Sequence, residues 1–258
     1  MGRAQEVPPA PETLEEHTRK NISAPCLEPP PLIRWEEYNG PFRKVVGTLA
    51  STLERKSVHS MHYKPGTLLC SLEPKDKFIL FLHDSFDPVS LFTAGFNAGL
   101  DQAQNNDPSF GHGAQGYAKR FGVGLAGQTS IRFFTDFTYP TIFSEDPRYY
   151  RLAQGSARRR FFHAVGHAFV AHRDNGKHMF NFSEWLGTSS AVALGDIYHP
   201  GNERGFGPAA RRVGYAVGTD MGFDVLREFW PEIARKLKMP FRDKPESRTG
   251  APASPSSK

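Results

Sequence analysis

Apolar positions in the middle of this chain follow the helical period and are punctuated by aspartate–proline pairs. Asp87-Pro88 is a start signal, because aspartate accepts the orphan amides of a first turn and proline loses no bond there. From Pro88 to about Gln104, Val89, Leu91, Phe92 and Phe96 accompany a small stripe at Gly95, Gly99 and Ala103. The next segment differs in kind: Ala114, Ala118, Gly122, Ala126 and Ser130 recur every four residues, so on a helix they form one ridge with almost no side chain. Tyr117, Phe121 and Leu125 make the bulky row beside it, and Pro140 is expected to end the helix.

Asp146-Pro147 repeats the start signal, and Phe161, Phe162, Val165, Ala168 and Phe169 then share one face of a segment ending near His172. Asp174-Asn175-Gly176 reads as a turn, Ser183 as the cap of a helix through Trp185, Leu186, Val192 and Leu194, and Pro208 as the start of the last helix. That last helix repeats the small ridge at Ala210, Gly214, Gly218 and Gly222, and Pro231 is expected to kink or end it. The prediction is an all-α fold, a glycine-rich bundle of about five helices near 88–104, 113–137, 157–172, 184–198 and 208–230.

The flanks read differently. Residues 1–31 are Pro-rich and 240–258 are polar and small, compositions that cannot bury enough surface to offset chain entropy, so both are expected to be disordered. Between them and the helical domain (87–239) lies a docking segment of uncertain structure, 32–86, in which Val45, Val46, Leu49 and Leu53 have helical spacing and Lys75 to His83 suits helix or strand.

Glycine inside a helix costs roughly 1 kcal/mol relative to alanine, so ridges at Ala118-Gly122-Ala126 and Gly214-Gly218-Gly222 suggest close approach of another helix. A shift of 96 residues superposes one ridge on the other and Phe110-Gly111 on Phe206-Gly207. The echo is readable as a duplicated helical hairpin packed ridge to ridge, or as chance similarity of glycine-rich segments.

Chemistry is sparse. A formal charge of +5 permits an anionic partner without demanding one. Arg158, Arg159 and Arg160 form a candidate anion-binding patch for a lipid headgroup or nucleic acid; a solvated face competes, and nucleic acid is the less favoured ligand. His163 and His167 have ligand spacing but sit among cations, so no metal site is expected, and no cofactor motif is present. A hydrolase would have to draw on Asp101, His112, His163, His167, Asp196 and His199, and no nucleophile motif accompanies them. Cys26 and Cys70 allow at most one disulfide and leave the redox compartment open. No long apolar run and no signal-peptide core is visible.

Ala94 to Gln104 (AGFNAGLDQAQ), Gly111 to Gly122 (GHGAQGYAKRFG), Ser144 to Tyr150 (SEDPRYY), Phe180 to Leu186 (FNFSEWL) and Glu228 to Ile233 (EFWPEI) together resemble a group of uncharacterised bacterial proteins found in Acidobacteria. The resemblance spans roughly Lys77 to Ile233 and implies no activity and no catalytic residue. It does imply the cell envelope, periplasmic or outer-membrane associated, since members begin with a signal peptide and a Pro-rich stretch, whereas this chain begins at the Pro-rich part. The expectation is a non-enzymatic, membrane-associated helical protein that packs against itself, a partner or a membrane surface.

Overall fold

The computed structural model describes residues 29, 31–59, 69–106, 108–197 and 204–242, so the expected disorder of the far termini falls outside the described residues. The protein is mostly helical, with two small sheets. Its helices are α1 (Arg43–Arg55), α2 (Pro74–Phe86), α3 (Pro88–Ala103), α4 (Gly113–Arg132), α5 (Tyr139–Phe143), α6 (Ala157–Gly166), α7 (Phe182–Gly195) and α8 (Phe206–Lys236). Short strands β1 (Ser57–Val58) and β3 (Tyr149–Tyr150) pair in parallel, while β2 (Glu145–Asp146), β4 (Val170–Arg173) and β5 (His178–Phe180) form an antiparallel sheet in the order β2-β4-β5.

Local signals explain several boundaries. The Asp87 side chain accepts from the Ser90 N–H at 2.7 Å and starts α3 as its sequence predicts. Glu73 and Asp76 close a reciprocal capping box on α2, which resolves 75–83 as helix. Other expectations are corrected. Asp146-Pro147 starts no helix: the Asp146 carboxylate is taken by Arg148 (2.6 Å) and by the Tyr150 hydroxyl (2.8 Å), which holds the segment extended. The helix expected over 157–172 stops at Gly166, because the turn at 174–176, with Gly176 at φ +78°, closes the β4–β5 hairpin. Asn181, not Ser183, caps α7, its side chain accepting from the Glu184 N–H at 2.9 Å.

Neither proline ends its helix. After Arg132 the chain makes one π-helical segment, Phe133–Thr138, and continues through Pro140 into α5. Pro231 lies inside α8, whose Trp230 and Ala234 pack with Ile33, Tyr38, Ala50, Leu53 and Met239; that apolar cluster offsets the roughly 3 kcal/mol a helical proline costs. Phe241 packs on the same cluster and bridges to Ile33, so the fold extends past residue 240, where the sequence suggested a free tail.

Alongside ordinary apolar burial, as at Leu80 and Phe81 of α2, three helices bury charged or small residues and expose phenylalanines. Helix α3 buries Ala94 and Ala98 and exposes Phe92 and Phe96; α2 buries Lys77 and Asp84 and exposes Phe78 and Phe86; α6 buries Arg160 and Ala164 and exposes Phe161 and Phe162. The phenylalanine face of α6 therefore looks outward. Lys77 shows how a cation is accommodated inside: its Nζ donates to the Pro140 carbonyl at 3.1 Å and pairs with Asp174 at 2.8 Å.

The small ridges lie outside as well. A Cβ added at Gly122, Gly214, Gly218 or Gly222 would meet nothing within 4 Å, and Ala118 and Ala126 are exposed, so the expected ridge-to-ridge seam is not formed among the described residues. The close approach occurs instead at Gly187 of α7, where a Cβ would come within 2.9 Å of Thr135 in the π-helical segment. Gly218→Leu and Gly122→Leu are accordingly expected to raise the melting temperature of the isolated chain, since leucine gains about 1 kcal/mol in helix propensity with nothing to strike. A loss in both variants, read by calorimetry, would reveal a contact surface on the ridges.

Candidate functional site: a charged chamber beneath an apolar exterior

Helices α4, α7 and α8, the π-helical segment and the β2–β3 strands converge on a partly open, polar cavity of about 40 Å³. The π-turn widens the helix by one residue and brings Thr135 and Asp136 inward together, both buried. Lys56, just past α1, pairs with Asp136 at 2.7 Å and with Asp84 at 3.1 Å. From α8, Asp220 pairs with Arg132 at 3.2 Å and Asp224 with Arg227 at 2.7 Å. His167 joins this group, its Nδ1 lying 2.7 Å from Asp224.

Glu145 and Glu184 complete the lining, and among the described residues no ion pair reaches either. Glu145 accepts from the Ser183 N–H at 3.3 Å, at the amino end of α7. Burial pushes its carboxyl up to about 7, opposed by the Ser183 contacts and by the positive field of His167 and Lys77. Burial, reinforced by the nearby Asp220 carboxylate, likewise holds Glu184 well above the usual carboxylate range. Asp224 goes the other way: burial would raise it, but His167 and Arg227 hold it below its ordinary value.

The sequence-level candidates distribute differently. Arg160 is turned inward, its Nε on Glu228 at 2.8 Å and its NH1 on Glu232 at 2.8 Å, so it is not offered to an incoming anion. Its neighbours Arg158 and Arg159 stay exposed, Arg158 lying over the Phe162 ring. His163 bonds the Tyr150 carbonyl through Nε2 at 2.9 Å. Asp101, His112 and Asp196 line neither described cavity, Asp196 being held by Arg212, and His199 lies outside the described residues. Of the hydrolase set only His167 reaches the chamber. Sequence reasoning missed Asp136, Glu145, Glu184, Asp220 and Asp224; for all but Glu145, which lies in β2, acids set within helical segments were the available signal.

A second cavity, of about 300 Å³, lies between Trp35, Pro31 and Val58 and is rimmed by Arg55 and Arg148. Nearby, Glu54 binds the segment before α1, accepting from the Leu32 N–H at 2.7 Å. Cys70 is disulfide-bonded. No described helix is long and apolar enough to cross a membrane. Comparison of the chain with known families, with curated proteins and with solved structures found no match.

Proposed function

We propose that the protein is a non-enzymatic helical protein of the cell envelope that lays its apolar outer faces on a lipid surface. The observation that carries this reading is the exposure of phenylalanines on successive helices: Phe92 is 72% exposed and Phe96 56%, while Lys56, Lys77, Asp84 and Asp136 are buried. Phenylalanines exposed along successive helices mark an interaction surface, and interfacial helices bury such faces at the headgroup boundary. Leu91 and Leu100 extend the α3 face, and Phe78, Ile79, Leu82 and Phe86 supply that of α2. The exposed Arg158 and Arg159 supply charge for anionic headgroups. A disulfide at Cys70 suits an oxidising compartment such as the periplasm. Internal duplication belongs to the same reading, supported by α3–α4 and α7–α8, two consecutive pairs that each pack helix on helix across a loop.

Liposome flotation tests the proposal. The protein is expected to rise with vesicles, and Phe92→Asp with Phe96→Asp to remain at the bottom while keeping its helical dichroism. A wild-type protein that stays down with both zwitterionic and anionic vesicles would sink the idea.

A further inference from the structure

The chamber is small, acidic and incompletely bonded. Lys56, Arg132 and Arg227 are paired with Asp136, Asp220 and Asp224, and Asp146 is held by Arg148 from outside the lining, which leaves Glu145 and Glu184 without an ion pair among the described residues. Asp136, 3% exposed, keeps its Oδ2 without a hydrogen-bond partner. Glu184 Oε1 and His167 Nε2 are also unpartnered. Once ionised, carboxylate oxygens only accept, so a ligand of the ionised Glu145 and Glu184 must donate.

Three constraints narrow the ligand. A volume of about 40 Å³ holds only a few water-sized groups, far below the roughly 300–1,000 Å³ of a drug-sized ligand site, which favours a small ligand. The excess of acid over base favours a positive charge. No group of three or more His, Cys, Asp or Glu among the described residues is arranged to hold a metal ion, which favours a hydrogen-bond donor over a coordinated metal.

We propose that the chamber binds a small cationic hydrogen-bond donor, ammonium, between Glu145, Glu184, the Asp136 Oδ2 and the Ser183 hydroxyl. Bound there, the cation completes the carboxylates that the protein's own bases leave unpaired and satisfies acceptors that would otherwise be costly to bury. The groups facing Glu184 are Asp220, Arg132, Asp224 and Lys56, and those facing Glu145 are Ser183, His167 and Lys77, so the site sits between fixed charges of both signs. This inference does not depend on lipid binding.

Thermal unfolding at about pH 8 in ammonium chloride, against sodium and potassium chloride at equal ionic strength, tests it. Ammonium is expected to raise the wild-type melting temperature saturably above either metal salt, by roughly 3–5 °C per tenfold excess over its Kd, with the response lost in Glu184→Gln and Glu145→Gln. A wild-type melting temperature that is the same in ammonium as in sodium and potassium chloride would overturn the proposal. An equal ammonium response in wild type and both variants would overturn it too. Both substitutions are close to isosteric, and circular dichroism confirms folding before the melts.

Discussion

Glu228→Ala is expected to cost about 3–5 kcal/mol, a large share of the roughly 5–15 kcal/mol that holds a typical protein folded. The side chain is fully buried on α8 and ties the 149–160 segment to that helix. One carboxylate oxygen accepts from the Tyr149 hydroxyl at 2.8 Å and the Leu152 N–H at 2.9 Å; the other accepts from the Ala153 N–H at 2.8 Å and Arg160 Nε at 2.8 Å. Truncation strands four donors, one of them a guanidinium, where water cannot replace the acceptor. Ala153 also sits at φ +59°, a left-handed conformation that alanine adopts only when its surroundings impose it. Glu228→Gln should retain most of the loss, since an amide offers one acceptor atom and would turn two N–H groups toward donors. Tyr149→Phe removes one hydroxyl and should cost only about 1 kcal/mol. Urea midpoints for the three variants give the comparison; a Glu228→Ala loss below that of Tyr149→Phe would show that the anchor lies elsewhere.

Glu145→Gln is expected to stabilise the protein at alkaline pH and to do little in acid. Burial raises the Glu145 carboxyl from 4.5 to about 7, so the folded state binds a proton that the unfolded chain has already released. A raised pKa contributes stability that is complete below about 4.5 and is lost as pH climbs through 7, for a total of about 3 kcal/mol. Glu184 adds loss of the same sign. Asp84, Asp146 and Asp224, whose carboxyls are held below their ordinary values, act oppositely and remove stability only in stronger acid. Wild-type stability should therefore fall from mildly acidic to alkaline pH, and Glu145→Gln should flatten that slope. Melting curves at about pH 5 and pH 8 decide the matter: a variant that melts below wild type at both values would mean that the Glu145 charge is matched by a base.

What the sequence determined by itself was local. The Asp87-Pro88 cap, the turn at 174–176 and the helical period of α3, α4, α7 and α8 depend on neighbours within a few residues, and the structure follows each of them. Only the tertiary structure decided which face of each helix turns inward. Periodicity reports that one face is apolar, and in water that face is normally buried. Here Lys77, Arg160 and Asp84 are inside because their partners, Asp174, Glu228 and Lys56, arrive from 97, 68 and 28 residues away. A buried charge is tolerable only with its counter-charge in place, and no local pattern states where that counter-charge will be. The same distance hid the chamber, whose lining comes from segments between Lys56 and Arg227. It also separated the glycines: Gly187 meets Thr135 across a helix crossing that its own neighbours do not predict, while the regular ridges face outward. Spacing along one helix records which atoms share a side; what lies opposite that side is set by the rest of the chain.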